Sequence, residues 1–348
     1  MRKAQKGRIY LSAGLIMAML MAGCGEKTDK ITRAMEAVKD LDYREALVLL
    51  DEAEAAGENQ RLIQRGMGIA YMGLTRYEDA VACFEKALAG SNGLVENVDF
   101  DVNYYLAVAL QKLGRFEDAE KVYDAILALR PKEKDAHYLR GNVRLELDKF
   151  NEAVADFDKA IEMDPRNYDR LIEICQVLTH YGYKQKGQEY IKAAMASGDK
   201  LTAYDTGRFY YYLEDFEKAY VALEEAKNDG GAEGTLYLGR AYEATGDYNY
   251  ASTVYSAYLN KYGDNAEVYN QLGVCEMKKQ EYEKALSYFE KGLDMKDSAT
   301  LQSLSFNQAV AYEFLQEYDK ARDLLQAYLN TYPDDEAAKR EMEFLKTR

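Results

Sequence analysis

Apolar positions return along this chain at intervals close to 34 residues. The most regular of them form a column of small residues, in which one glycine stands among eight alanines. Its members are Ala46, Ala80, Ala119, Ala153, Gly187, Ala219, Ala251, Ala285 and Ala321. Each member is followed four residues later by a large apolar residue and preceded twelve residues earlier by a second small one. Such spacings place side chains on one face of a helix, whereas a strand would alternate them.

Three further columns keep the same register. The large apolar column consists of Leu50, Phe84, Tyr123, Phe157, Ile191, Leu223, Tyr255, Phe289 and Leu325. The second small column consists of Ala34, Gly68, Ala107, Gly141, Cys175, Gly207, Gly239, Gly273 and Ala309. An aromatic column lies three residues before the alanines, with Lys184 as its exception, and consists of Tyr43, Tyr77, Phe116, Phe150, Phe216, Tyr248, Tyr282 and Tyr318. The pattern therefore predicts nine structural repeats.

Each repeat is predicted to be two short helices joined by a tight turn, with small residues where the helices cross. Turn residues fall at matching places: Gly114, Gly182 and Gly246 inside units, and Pro131, Pro165 and Pro333 where second helices end. A helix pair of this size cannot bury its apolar face alone, so neighbouring pairs must stack. The expected fold is all-α, an α-solenoid.

Two stretches show which known repeat this is. Residues 238–242 (Leu-Gly-Arg-Ala-Tyr), with Ala251 after them, and residues 77–80 (Tyr-Glu-Asp-Ala) resemble the tetratricopeptide repeat (TPR). The resemblance implies a right-handed superhelix of about nine repeats over residues 31–333. Ala337, Met342 and Leu345, set among charges, predict that residues 334–348 form a C-terminal capping helix. The fifth repeat departs furthest from the pattern, since it has Lys184 and Gly187 in place of an aromatic residue and an alanine.

The N-terminal segment is predicted to be an export signal. Four basic residues in the first eight are followed by an uncharged run over 9–23, which is short for a membrane span. The run ends in Leu20-Met21-Ala22-Gly23-Cys24, which resembles the lipobox of bacterial lipoproteins, although Leu is more usual than Met at position 21. A signal anchor, or an ordinary secretory signal with an incidental cysteine, remains the alternative.

The lipobox resemblance implies that residues 1–23 are removed and that Cys24 is lipidated through a diacylglyceryl thioether and an amide-linked acyl chain such as palmitate. Residues 24–30 would be a short tether. The protein is then expected on the extracytoplasmic face of a bacterial cell membrane. Loss of the basic signal segment lowers the net charge from −15 to −19. A body this acidic is expected to be repelled by anionic lipid and to project away from its tether.

Composition limits the chemistry. The net charge of −15 disfavours nucleic acid as a partner. Four cysteines, two histidines and no tryptophan leave little material for a disulfide scaffold, a zinc cluster or a histidine-based triad. Cys83, Cys175 and Cys275 fall in different repeats and are expected to be buried thiols. His137 and His180 lack neighbours that would make a metal site, so no metal, no cofactor and no enzymatic activity are predicted.

In TPR proteins the first helices line a concave groove that holds a peptide. The resemblance therefore implies a binding surface here made of Tyr104, Tyr138, Asn142, Gln176, Tyr204, Arg208, Tyr211, Tyr212, Arg240, Glu243 and Asn270. Tyrosine and arginine are frequent at binding hot spots. Tyr210 is instead assigned to the core. The expected function is a membrane-anchored scaffold or adaptor that binds a protein or peptide segment. The alternative is a module that binds cell-wall glycan or polysaccharide in envelope biogenesis or secretion.

Overall fold

The computed structural model describes residues 29–91, 93–229, 231–297, 299–333 and 335–348. Across these ranges the secondary structure is entirely helical, with nineteen α-helices and no strand. The described residues form two compact units, unit 1 (residues 29–187) and unit 2 (residues 188–348). None of the helices in these ranges is long and apolar enough to cross a membrane. The predicted signal peptide (1–23) and most of the tether (24–30), including Cys24, lie outside the described residues.

The helices come in pairs that match the nine predicted repeats. Unit 1 holds α1 (Lys30–Lys39), α2 (Tyr43–Ala55), α3 (Gln60–Gly73), α4 (Tyr77–Ala89), α5 (Asn97–Lys112), α6 (Phe116–Leu129), α7 (Lys134–Glu146), α8 (Phe150–Met163) and α9 (Tyr168–His180). The boundary between the units falls within α10 (Lys184–Ala196). Unit 2 holds α11 (Ala203–Tyr212), α12 (Phe216–Asp229), α13 (Gly231–Ala244), α14 (Tyr248–Tyr262), α15 (Ala266–Lys278), α16 (Tyr282–Asp294), α17 (Leu301–Phe314), α18 (Tyr318–Thr331) and α19 (Glu336–Leu345).

Odd-numbered helices from α1 to α17 are the first helices of the pairs, and even-numbered helices are the second. The last helix, α19, packs on α18 and buries Ala338, Met342 and Leu345. Its N-cap is Asp335, whose carboxylate accepts hydrogen bonds from the backbone amides of Ala337 and Ala338. The α-solenoid fold expected from the repeat pattern is confirmed.

The two small columns and the large apolar column meet where the paired helices cross. A Cβ at Gly68 would come 2.4 Å from the Phe84 ring, and one at Gly239 would come 2.3 Å from the Tyr255 ring. Only a residue without a side chain lets these rings pack against the first helix. The fifth repeat reverses the arrangement: a Cβ at Gly187 would lie 2.9 Å from the Cα of Cys175. Cys175, which is larger than the other residues of its small column, is thus matched by Gly187 in the other small column.

The turns inside the pairs show a regularity that the sequence pattern did not reveal. In all nine described pairs the second residue after the first helix has a positive φ. Three of these residues are the predicted turn glycines, while the other six are Leu41, Thr75, Asp148, Glu214, Gln280 and Gln316. The backbone amide that follows each one bonds back to the helix, as Asp42 does to Ala37 at 2.9 Å. This is a Schellman-type ending, which a helix pair needs in order to reverse direction.

Unit 1 also buries a charged cluster. The Asp156 carboxylate on α8 is 2% exposed and accepts hydrogen bonds from the Arg140 and Arg144 guanidinium groups at 2.6–2.9 Å. His137 Nδ1 lies 2.8 Å from the same carboxylate, and its Nε2 lies 3.1 Å from the Pro131 carbonyl oxygen. The histidine is therefore held between two acceptors as part of the α7–α8 interface.

Most of the residues that the sequence assigned to the core are buried in the structure. Cys83, Cys175 and Cys275 are buried, as predicted. Tyr210 packs against the core of unit 2 as predicted, but it is only half-buried and its ring lies 5.2 Å from the Lys218 amino group. Its neighbour Phe209 is the fully buried residue of α11. One position along a helix turns a side chain by about 100°, which is enough to exchange these environments.

Candidate binding surface

In each unit the first helices of successive pairs lie side by side. Direct packing joins α1 to α3 and α3 to α5 in unit 1, and α11 to α13 and α15 to α17 in unit 2. Ion pairs join these helices as well: Arg65 with Asp101, Arg170 with Asp135 at 2.9 Å, and Arg240 with Glu267. We call the side of a unit formed by these helices its first-helix surface. All eleven predicted groove residues belong to first helices.

Unit 1 places four of the predicted residues on three successive first helices. Tyr138 is buried, with its ring centroid 6.2 Å from that of Phe157 and the Arg170 guanidinium 3.9 Å from its centre. This burial raises the pKa of the Tyr138 hydroxyl to about 12. Tyr104 is half-buried, and its pKa is also raised by burial. Gln176 on α9 is exposed.

Asn142 on α7 is the least expected member of this group. It is 7% exposed, and its amide nitrogen and oxygen make no hydrogen bond of good geometry among the described residues, although the Tyr138 hydroxyl one turn away is close enough to interact with the amide. The hydroxyl of Tyr104, on the preceding first helix, is buried without a partner as well. An unpaired buried polar group costs about 1–3 kcal/mol. Two adjacent first helices of unit 1 therefore carry buried polar groups whose hydrogen-bonding capacity is not fully used.

Unit 2 gathers its predicted tyrosines around a residue that the sequence did not single out. The Tyr237 ring on α13 packs edge-on against Tyr204 and Tyr211 at 5.8 Å each and against Tyr212 at 6.3 Å. We call these four residues the tyrosine cluster. Edge-to-face pairs of this kind add about 0.5–1.5 kcal/mol each beyond the area they bury. Burial raises the pKa of both Tyr211 and Tyr212.

The two predicted arginines of unit 2 are already paired. Arg208 is buried, donates to the Asp205 carboxylate at 2.7 Å and lies 4.5 Å from the centre of the Tyr204 ring. Arg240 pairs with Glu267 and lies 5.2 Å from the centre of the Tyr237 ring. The surface of unit 2 thus presents aromatic rings with internally neutralised cations, which suits an uncharged segment better than a free carboxylate.

The remaining two predicted residues have partners from neighbouring first helices. Glu243 is half-buried, and the Cys275 thiol donates to its carboxylate across 3.8 Å. Burial raises the pKa of Glu243 and, with the nearby carboxylate, raises that of Cys275 to about 12. Asn270 is buried, and its amide oxygen accepts a hydrogen bond from the Asn307 amide at 2.9 Å.

Within unit 1 the structure places two predicted residues, Tyr138 and Asn142, on the same helix, α7. Within unit 2 it brings the predicted residues Tyr204, Tyr211 and Tyr212 together around Tyr237. Tyr138, Asn142, Arg208 and Asn270 expose less than a tenth of their surface and offer little direct contact area. Sequence reasoning missed Tyr237 and Arg170. A signal for Tyr237 was available, because it holds the same repeat position as Tyr105, two residues before the second small column, and both are buried beside an arginine.

Comparison with known families agrees with the repeat assignment. Family models described as tetratricopeptide repeat match residues 65–132 and 104–168, residues 266–298, and residues 235–265 and 303–335. Together these matches cover more than half of the chain. They fall in both units and follow the register of the columns described above.

Curated relatives are distant and longer. A TPR repeat-containing protein of Methanocaldococcus jannaschii is 25% identical over 74% of this chain and 42% of its own length. Human RNA polymerase II-associated protein 3 is 23% identical over 59% of the chain and 33% of its own length. The human mitochondrial import receptor subunit TOM70 is 23% identical over 47% of the chain and 24% of its own length. The chain thus spans less than half of each of these relatives.

Among solved structures, a tetratricopeptide repeat protein from Parabacteroides merdae aligns with a TM-score of 0.47 and 18% identity, over 82% of this chain and 96% of the other. MamA from Desulfovibrio magneticus aligns with a TM-score of 0.41 and 22% identity, over 51% of this chain and 100% of the other. The helix pairs, the register of their columns and the family matches lead to one conclusion: the chain belongs to the tetratricopeptide repeat family.

Proposed function

We propose that this protein is a membrane-anchored scaffold, held outside the cytoplasm by lipidated Cys24, that binds an extended protein segment and catalyses no reaction of its own. The repeat family supports the scaffold role. Two of its relatives are named for association with other proteins, as an RNA polymerase II-associated protein and as an import receptor subunit. The lipobox-like sequence that ends at Cys24 supports the anchor and the removal of residues 1–23.

The observation that carries the binding role is the buried amide of Asn142, which makes no hydrogen bond of good geometry and has only a weak interaction with the Tyr138 hydroxyl. A side-chain amide can donate through its nitrogen and accept through its oxygen. A peptide unit in an extended segment offers the complementary pair, a carbonyl oxygen and an N–H. Such a segment would satisfy both atoms of Asn142 at once, whatever its own side chains are. The Tyr104 hydroxyl, one first helix away, would take a further hydrogen bond from the same segment.

Access to these atoms requires a small rearrangement. Each has less than 1 Å² of exposed surface, so the bound segment must displace side chains that cover α7. Rotamer changes of this kind are common when proteins bind their partners. The bound segment is expected to be neutral at this point because Arg170, the guanidinium stacked on Tyr138, is already paired with Asp135.

Replacing Asn142 with leucine tests this role. The substitution removes both polar atoms at nearly constant shape, so the stability of unit 1 should stay the same or rise. Binding of peptides should be lost at the same time. The measurement is a selection of peptides from a displayed random library with the wild-type mature protein, followed by affinity measurements of those peptides on Asn142→Leu. Asn151→Leu, on the exposed side of α8, is the matched control and should bind normally.

A fall in both stability and binding would show that Asn142 is a structural residue and would contradict the proposal. Unchanged affinity in a stable Asn142→Leu variant would do so more directly. Urea unfolding followed by far-UV circular dichroism measures the first outcome, and peptide titration measures the second.

A further inference from the structure

Unit 1 has an edge formed by the turns that connect one helix pair to the next. In the described part of the chain these turns cover residues 56–59, 90–91 with 93–96, 130–133 and 164–167. Side-chain contacts link each turn to the pair beside it: the Lys30 amide to Glu58, Arg61 to Glu96, Arg130 to Asn97, and Lys134 to Asp164. We call this row the inter-repeat edge. It is continuous through unit 1 because each contact spans two successive repeats.

Exposed apolar side chains of unit 1 are concentrated at this edge. Eight large apolar residues are exposed within the described part of unit 1, and five of them lie in these turns or at the adjoining helix ends. They are Leu62, Leu94, Val95, Leu129 and Met163. Leu94, Val95 and Leu129 expose 69%, 59% and 60% of their surface, more than any other large apolar residue of the unit. Single exposed apolar residues are ordinary, but a row of them marks a contact surface.

The chain reaches Cys24 from the same edge. Helix α1 begins there, since the backbone amides of Lys30 and Ile31 both donate to the Glu58 carboxylate. Cys24 precedes the N-cap residue Asp29 by five residues. Five extended residues span roughly 18 Å at most. Acyl chains on Cys24 would therefore hold the inter-repeat edge, rather than the opposite edge, close to the bilayer surface.

We propose that the inter-repeat edge of unit 1 lies against the membrane interface and that Leu94, Val95 and Leu129 enter it. The occupant of this apolar edge is thus a phospholipid surface, and the inference rests on the proposed anchor at Cys24. The net charge of −19 opposes contact with anionic lipid, so the proposed surface is a zwitterionic phospholipid one, and this contact replaces the expectation that the mature chain projects away from its tether. Lys132, exposed in the turn beside Leu129, places a positive charge at the level of the headgroups.

A tryptophan probe tests the proposal, because the chain has no tryptophan of its own. Residues 24–348 are coupled through the Cys24 thiol to a maleimide-bearing lipid in phosphatidylcholine vesicles. The coupling is selective because Cys83, Cys175 and Cys275 are buried. Leu94→Trp and Leu129→Trp report on the edge. Tyr183→Trp is the matched control, since Tyr183 is exposed in the turn at the far end of α9, about 20 Å away along that helix.

The edge probes should emit at shorter wavelength on vesicles than in buffer and lose emission when the acyl chains carry bromine, whereas the control should do neither. Equal responses at both edges, or aqueous emission from Leu94→Trp and Leu129→Trp, would overturn the proposal. The mass of the mature protein isolated from its membrane tests the anchor separately. An unmodified Cys24 would refute the anchor and with it the cellular basis of the edge contact, whereas acylation with aqueous edge probes would refute the edge contact alone.

Discussion

The two units repeat one architecture but hold it together with different side chains. Residues 29–187 contain eleven arginines and ten tyrosines, whereas residues 188–348 contain five arginines and twenty tyrosines. In unit 1 the first helices and the α7–α8 interface are joined by arginine–carboxylate pairs. In unit 2 the Arg240–Glu267 pair also joins first helices, but tyrosine rings fill other corresponding places, as in the tyrosine cluster and in Tyr220 stacked on Tyr242 at 4.3 Å.

The difference shows which positions the fold fixes. The small and large columns are the same in both units because they occupy the crossing of each helix pair, where volume is critical. Positions between neighbouring pairs are not fixed in this way, and either ion pairs or rings can fill them. Charged links depend on salt and on the presence of both partners. Aromatic links depend mainly on buried area and ring geometry.

The largest expected effect is on the charged cluster of unit 1. Asp156→Asn removes the buried charge that Arg140 and Arg144 share and leaves them only Asp124 and Glu120 as partners, so the free energy of unfolding should fall by about 3–5 kcal/mol. Urea unfolding followed by circular dichroism measures it. Asp158→Asn, on the exposed side of the same helix, should change stability by less than about 0.5 kcal/mol. Similar losses in the two variants would show that unit 1 does not depend on this cluster.

A smaller loss is expected from the centre of the tyrosine cluster. Tyr237→Leu removes the ring that packs against Tyr204, Tyr211 and Tyr212 and should cost about 2–3 kcal/mol. Tyr237→Phe keeps the ring and loses only a hydroxyl that lies 3.4 Å from the Tyr212 hydroxyl, so it should cost less than about 1 kcal/mol. Added salt should leave the leucine effect unchanged. Equal losses in the two variants would assign the stability to the hydroxyl instead.

The smallest expected effect is a pH-dependent change in stability when Glu243 is replaced. Burial raises the pKa of Glu243, so the folded state is penalised once this carboxyl ionises. The penalty is absent below the ordinary glutamate pKa of 4.5 and complete above the raised value in the folded protein. Glu243→Gln removes the ionisation, so its advantage in thermal midpoint should be near zero in acid and grow as the pH rises towards 8. A difference that stayed constant with pH would contradict this assignment.

The repeat columns made most of the fold predictable. Gly68 and Phe84, or Gly239 and Tyr255, could be paired from their spacing because each pair lies within one local helix–turn–helix unit. The positive φ at Leu41 or Thr75 could not be predicted in the same way, because neither residue favours it and the reversal of the helix pair imposes it. The contacts of the binding surface were less predictable than either the helix crossings or the turns. Arg208 has the expected position, but its pairing with Asp205 depends on rotamers that spacing does not specify.

By itself the sequence determined the number of helix pairs, the residues at their crossings and the resemblance of its N-terminus to a lipoprotein signal. These follow from a local period and from short contiguous motifs. Only the tertiary structure decided that Tyr237 is the centre of the tyrosine cluster, that the buried Asn142 amide makes no hydrogen bond of good geometry and that exposed apolar residues of unit 1 line its inter-repeat edge. Such facts depend on where neighbouring helix pairs lie across the stack. Stacking is fixed by packing between residues about 20–40 positions apart, as between Tyr212 and Tyr237 or Arg170 and Asp135.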